Sequence, residues 1–312
     1  MKPLRVLGVS LGSSKRDKTL EIIISGNEIQ IERRGTDGSR EKFREVILEA
    51  NQNNSLDSIG IGGTDLYFIL SSRVFPIKSS MRLIDGLEIP AVDGIGIKLT
   101  REPQMIDWMN SDDFYEKYNF TIKGKKAFVP CGIDRYPMAE RLSHYCNEVI
   151  FGDIMFNLGL AIPLRKISSV KRVGRILLPI ICNLPTDWFY PSGQKQVDNI
   201  PKFSKYFKDA DILAGDFHYI RRYSPNDLEG KIVVTNTTTD LDIEFLKKRG
   251  VKYVVTSTPL IDGRTFGTNL IEAMIVAMLG KKKDEVHPSL GYQDYWKILE
   301  YEELQPSIRV LN

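Results

Sequence analysis

The apolar positions of this chain switch repeatedly between the period of a strand and the period of a helix. Near the N-terminus LRVLGVSL reads as a strand and GSSKRD as a turn, followed by TLEIIIS and EIQIER as two strands across a Gly-Asn turn. In SREKFREVILEANQN, Phe43, Val46, Ile47 and Ala50 fall on one helical stripe. SIGIGG is then a buried strand closed by glycines, YFILSSRVFPIK a hairpin, and IPAVDGIGI the start of another strand. The polar stretch DDFYEKYNFTIKGKK follows and places a domain boundary at 118/119.

The second half alternates more simply. KKAFVPCG, EVIFGDIMF, DILAGDFHYI, KIVVTNTTT and KYVVTSTP read as strands. Helical spacing recurs in YPMAERLSHYC, SSVKRVGRILLPIICNL, FSKYFKDA, DIEFLKKRG and GTNLIEAMIVAML. Such alternation gives a mainly parallel sheet covered on both faces. The expected fold is α/β in two domains. Residues 1–118 would form a mixed sheet that starts with a β-hairpin, and residues 119–312 a mainly parallel, Rossmann-like sheet.

Ligands of open α/β sheets gather outside the carboxyl ends of the strands. Five strands here end in small polar groups: SLGSSKRD, GIGGTD, VDGIG, TNTTTD and TSTPLIDGRTFGTN. Ser13, Ser14, Lys15 and Arg16 combine hydroxyls with two cations and suit an anion, although GxxxxGK[ST] is missing. Asp93 stands before two glycines as a hydroxyl acceptor or metal ligand. Asn236, Thr237, Thr256 and Thr258 are candidate contacts to a cofactor, together with Gly267, Thr268 and Asn269 at the start of a helix. Asp262 and Gly263 form a turn there, and Arg264 would grip a carboxylate or phosphate. The aromatic loop DWFYPSG, 187–193, could wall a pocket.

If DILAGDFHYI is a strand, its period of two puts Asp216 and His218 on one face. Asp216 would then orient His218 as a general acid/base, with Arg221, Arg222 or Arg264 holding the substrate's carboxylate. His144 reads as a helix residue and His287 as loop.

Composition narrows the classes. Hydrophobic residues make up 42% and charged residues 27%, ordinary for a globular protein. A net charge of +3 offers no basic face for nucleic acid. Three scattered cysteines form no CxxC, so neither a disulfide framework nor a structural zinc site is expected. The N-terminus enters a strand without signal-peptide architecture, and no apolar run is long enough for a membrane span. The expectation is a cytoplasmic protein with a small-molecule substrate, no metal, and self-association left open.

Two resemblances add to this. The opening block, with GSSKRD and GGTD, looks like the start of the acetate kinase, sugar kinase and actin superfamily. There a strand, a Gly-Ser phosphate turn and two more antiparallel strands face ATP. VSLGSSKRD, ERRGTDG, VDGIGIK, WFYPSGQKQ, ADILAGDFHYIRRY, TNTTT and TPLIDGRTFGTN together resemble a bacterial, clostridial-type family labelled quinate 5-dehydrogenase. That resemblance implies oxidation of a hydroxyl on a small carboxylated polyol with NAD or NADP. Shikimate and quinate dehydrogenases use a lysine–aspartate pair in an NVTxPxK-like setting. TSTPLID has leucine where that lysine would stand, and no strand is followed by GxGxxG. A phosphotransferase and a non-catalytic small-molecule-binding protein are the alternative readings.

Overall fold

The computed structural model describes residues 2–52, 55–185, 198–261 and 263–312. Two sheets carry the fold. The first contains β1 (Leu4–Ser10), β2 (Lys18–Ile24), β3 (Asn27–Gly35), β4 (Ser58–Gly62) and β7 (Ala91–Val92), with α1 (Arg40–Gln52) between β3 and β4. A separate hairpin, β5 (Tyr67–Leu70) and β6 (Arg73–Pro76), and the short α2 (Lys78–Met81) precede β7. The chain continues through α3 (Ile95–Leu99), α4 (Arg101–Trp108) and α5 (Asp112–Tyr118).

The second sheet is built from β8 (Lys126–Val129), β9 (Glu148–Phe151), β10 (Ile212–Ala214), β11 (Ile232–Thr235) and β12 (Tyr253–Thr256). Its helices are α6 (Tyr136–Tyr145), α7 (Asp153–Asn157), α8 (Ile167–Ile181), α9 (Ser204–Asp209), α10 (Phe217–Tyr223) and α11 (Asp240–Lys247). A two-residue ribbon, β13 (Leu260–Ile261) with β14 (Arg264–Thr265), leads to α12 (Thr268–Met278) and α13 (Trp296–Leu299). The final strand, β15 (Ser307–Val310), adds antiparallel to β12. Among the described residues no helix is long and apolar enough to cross a membrane.

The expected α/β architecture with two sheets is present. The first sheet runs β2-β3-β1-β4-β7 and the second β15-β12-β11-β10-β8-β9. In the second, the parallel strands taken in chain order lie as 2-1-3-4-5, one of the two common doubly wound orders. Its switch point falls between β8 and β10. In the first sheet β3 inserts between β1 and β2, parallel to β1 and antiparallel to β2. The hairpin of β2 and β3 thus meets β1 through its second strand.

Both faces of the first sheet are covered. Leu7, Val9, Ile59 and Ile61 pack with Phe43 and Ile47 of α1. On the other face Val6, Ile22, Ile24, Ile29 and Ile31 pack with Leu270, Ile271 and Met274 of α12. The helix comes unusually close because Gly8 and Gly60, paired across β1 and β4, leave a gap in that face. A Cβ on Gly60 would lie 2.7 Å from the backbone oxygen of Asn269, and one on Gly8 2.7 Å from Leu270. Gly60→Ala is therefore expected to lift α12 from the sheet and destabilise the fold by about 1–3 kcal/mol. Urea unfolding checks this, and an unchanged midpoint would contradict the close packing.

The traffic also runs the other way. Phe68 and Leu70 of the β5–β6 hairpin pack with Val170 and Leu178 of α8, in the core that includes β8 and β10. A boundary at 118/119 thus separates the strands of the two sheets but not their cores. The stretch read as a polar linker contains α5, capped by the Ser111 hydroxyl, with Phe114 buried against Trp108 at 4.7 Å.

Candidate functional site

The carboxyl ends of strands from both sheets meet at a cluster of charges. Asp65 follows β4, Lys98 lies in α3 after β7, Asp134 and Arg135 follow β8, Asp216 follows β10, and Asn236 follows β11. Lys98 Nζ donates to Asp65 Oδ2 at 2.8 Å and to Asp134 Oδ1 at 3.2 Å. Arg135 Nη2 donates to Asp216 Oδ2 at 2.7 Å, and its Nη1 donates to Glu102 Oε1 of α4. Asn236 Nδ2 adds a bond to Asp216 Oδ2 at 3.2 Å.

Glu102 lies deepest, fully buried, with the two cations next. The side chains of Lys98 and Arg135 are 4% and 3% exposed, against 14% for Asp65, 10% for Asp134 and 16% for Asp216. The three aspartates therefore form the rim. Burial alone would pull the Lys98 ammonium down, but Asp134 and Asp65 outweigh it and hold the group charged. Burial raises Asp134 despite Lys98 and Arg135 nearby. It also pushes Glu102 up to about 7, against the opposing pull of Arg135, and Glu102 Oε2 has no partner. Burial would raise Asp216 as well, but Arg135, helped by His218, holds it well below the usual carboxylate range.

Lys98 is held in place by a helix far away in sequence. Glu272 of α12 is fully buried; its Oε2 accepts from Gly94 N at 2.7 Å and its Oε1 from Gly96 N at 3.1 Å. These are free amides at the start of α3, the helix that carries Lys98. Tyr295 Oη donates to Glu272 Oε1 at 3.1 Å. Asp93, expected as a ligand group, is instead filled by the chain itself. It accepts from Leu66 N at 2.5 Å, Tyr67 N at 3.2 Å and Ile95 N at 3.0 Å, which ties the turn bearing Asp65 to α3.

Asp216 and His218 need a correction. The strand stops at Ala214, Gly215 turns at φ 126°, and Asp216 caps α10. Asp216 Oδ1 accepts from the backbone N–H of His218 at 2.9 Å, while the imidazole sits on an exposed helix residue. The aspartate is part of the cluster, but it does not orient the ring. Arg221 is engaged elsewhere, paired with Asp242 at 2.5 Å and lying over Phe245.

The first candidate anion turn is largely self-satisfied. Ser13 Oγ accepts from Lys15 N at 3.2 Å, and Ser14 Oγ donates to Asp37 at 2.7 Å. Lys15 and Arg16 are exposed at the carboxyl end of β1. Thr256 donates to the Thr258 carbonyl at 2.8 Å, and Thr258 Oγ1 to the Asn236 carbonyl at 2.9 Å, so both stitch strand ends together. Thr237 is half-buried beside Asn236, and Thr239 caps α11. Gly267 is the N-cap of α12; Thr268 packs under Gly94, and Asn269 packs under Gly60 and Gly62. The FGTN segment thus docks a helix on the first sheet. Arg264 is in β14, its backbone paired with Ile261. Asp262 and the loop 187–193 lie outside the described residues.

Residues 96–311, which include Lys98, Glu102, Asp134, Arg135, Asp216 and Glu272, match the family described as Domain of unknown function (DUF8754). The chain belongs to that family. Ahead of this span, residues 5–93 match a second family, Domain of unknown function (DUF8753), so Asp65 and Lys98 come from opposite sides of the join. No curated protein matches the chain. It is similar to a crystal structure from Mycobacterium smegmatis at 11% identity, covering 99% of this chain and 91% of that one, with a TM-score of 0.34. It is similar also to a galactofuranose binding protein, at 11% identity, 99% and 95% coverage and a TM-score of 0.35. A periplasmic solute binding protein of an ABC transporter from Actinobacillus succinogenes 130z, with bound D-allose, has 11% identity, 98% and 97% coverage and a TM-score of 0.35. At these scores the likenesses carry no functional weight.

A dinucleotide would need backbone free to approach its pyrophosphate at the switch point between β8 and β10. The glycine of the β8 turn, Gly132, faces inward: a Cβ there would lie 3.0 Å from Phe151 and 3.3 Å from Asp153. The Arg135–Asp216 pair spans the same switch point. These residues do not fit a pyrophosphate cradle. No group of three or more His, Cys, Asp or Glu side chains among the described residues could hold a metal ion.

Proposed function

We propose that the chain binds a small polyhydroxylated molecule where the two sheets meet, and that Asp134 and Lys98 share a proton with one of its hydroxyls. The observation behind this reading is the buried Lys98 ammonium held between Asp65 and Asp134, groups from three strand ends in two sheets. Burying such a group is costly, and fold stability alone gives no reason to concentrate it at the strand ends. Two cations here face four carboxylates, of Asp65, Glu102, Asp134 and Asp216, of which Glu102 is fully buried. Hydroxyl donors suit the carboxylates of Asp134 and Asp216 at the rim.

A hydroxyl that donates to Asp134 lies beside a fixed positive charge. As its proton moves toward the carboxylate, negative charge grows on the ligand oxygen where Lys98 can hold it. The raised Asp134 is the better base for the same reason that it is costly to bury. The resemblance to the quinate 5-dehydrogenase family gives a second reading, in which that hydroxyl is oxidised with NAD or NADP; because the switch point between β8 and β10 does not fit a pyrophosphate, that reading needs the cofactor to bind elsewhere. The ligand's carboxylate would then need cations beyond the cluster, and Lys15 and Arg16 are exposed at the end of β1.

Calorimetric titration of purified protein with quinate, shikimate and a panel of sugars and sugar alcohols tests the first reading. Asp134→Asn is expected to weaken binding of any ligand found by roughly tenfold. If oxidation occurs, the same change should lower its rate by about 10²–10⁴. Binding without reduced nicotinamide, with either cofactor, leaves only the first reading. Absence of binding across the panel at millimolar concentration, or an unaffected Asp134→Asn, would remove both.

A further inference from the structure

Next to Glu102 on α4, a second site is built around Arg101. Its residue is 1% exposed, yet no acidic side chain among the described residues forms an ion pair with it. Its partners are neutral. Nη1 donates to Gln104 Oε1 and to Gln305 Oε1 at 3.3 Å, Nη2 donates to the carbonyl of Leu299, and Nε has no partner. Burial alone pulls the guanidinium down to about 10, with no carboxylate to oppose it.

A buried charge without a counter-charge is among the more costly features a fold can keep. Arg101 lines a cavity of about 230 Å³ together with Gln104, Trp108, Gln305 and Pro306. Gln305 is held by its own amide, which donates to the carbonyls of Leu299 and Tyr301 at 2.9 and 3.0 Å, so that its oxygen faces the arginine. Trp108 is fixed against Phe114 and Tyr118 by edge contacts at 4.7 and 6.2 Å, and it gives the cavity a rigid aromatic wall.

We infer that this cavity is a binding site for a small organic anion with a carboxylate on a planar, apolar body, the carboxylate completing the charge of Arg101 and the body lying against Trp108. A guanidinium recognises a carboxylate more strongly than a neutral oxygen. An indole wall favours a flat apolar group over a fully hydrated ion. The site is separate from the Lys98 cluster and does not depend on the function proposed there, although α4 joins the two through adjacent residues, Arg101 and Glu102.

Benzoate, acetate and inorganic phosphate are the probes, titrated into the full-length protein by calorimetry. Saturable one-to-one binding of benzoate, tighter than that of acetate or phosphate, is expected. Arg101→Met should weaken it by roughly ten- to a hundredfold. Because removing a buried arginine can unfold a protein, Gln104→Glu is the second variant. It puts a carboxylate, nearly without change of shape, where Arg101 already bonds, and so fills the site from within. It should lose benzoate binding to the same extent while its urea midpoint stays at or above that of the parent. No saturable benzoate binding, binding of phosphate alone, or a Gln104→Glu variant that still binds as the parent does would each overturn the assignment.

Discussion

Replacing Lys98 with methionine is expected to destabilise the protein by about 3–5 kcal/mol near neutral pH and to abolish ligand binding where the sheets meet. The size follows from what is left behind. Asp65 and Asp134 both bond the ammonium, and neither is more than 14% exposed. Without it, two carboxylates face each other at the edge of the core. The sign of the pH dependence is a sharper check than the magnitude. Asp134 is already raised by burial, and removing Lys98 removes an interaction that lowers it. A carboxyl raised in the folded state contributes stability that is present at low pH and lost as pH rises. The gap between variant and parent should therefore be widest near neutral pH and narrow on acidification through the raised Asp134 value toward the ordinary carboxylate range. Urea unfolding of both proteins across that range decides the matter. A gap that is flat or grows on acidification would sink the account of the cluster.

The second large effect belongs to Glu272. Burial, with Asp93 adding to it, lifts this carboxyl from 4.5 to about 8. Its contribution is fully present below the unfolded value and is lost as pH rises through the folded one. Stability of the parent should accordingly fall between about pH 5 and about pH 8, by a few kcal/mol from this group alone. Glu102, at about 7, and Asp93 and Asp153, each at about 6, act in the same direction over the lower part of the window. Asp216, held low by Arg135, acts oppositely, and its share is lost only on strong acidification. Glu272→Gln should remove the upper limb of the decline and leave the lower one. Thermal or urea unfolding across the window tests this, and a parent that gains stability up to pH 8 would contradict it.

The periodicity of the sequence reveals the strands well and the meeting of their ends poorly. LRVLGVSL, EIQIER and SIGIGG are strands because their apolar residues fall on faces covered by α1 or by α12, which a local pattern records. DILAGDFHYI misleads for an equally local reason. Gly215 and the capping preference of Asp216 end the strand, while the apolar residues beyond it continue on a helix. The glycines of GIGG look like room for a ligand, but a helix two hundred residues later occupies it. TSTPLID offers no lysine to pair with an aspartate, whereas Lys98 of VDGIGIK bonds Asp134 of CGIDRYP. Nothing in either stretch alone marks it. Lys98 follows a stretch that reads as the start of a strand but forms a short helix, and only the topology of two sheets brings Asp65, Lys98 and Asp134 together. Glu272 is invisible for the same reason: in GTNLIEAMIVAML it is one acid in an apolar helix.

The docking of α12 on the first sheet also bears on how the two matched families relate. Residues 5–93 supply every strand of that sheet, but the helix that covers the face of Ile22, Ile24, Ile29 and Ile31 comes from the span 96–311. A relative that carried only the first span would present this face to solvent, or would have to borrow a helix from another chain. In this chain the two matched spans are halves of one folding unit, because the core of the first sheet is completed only by a helix of the second span.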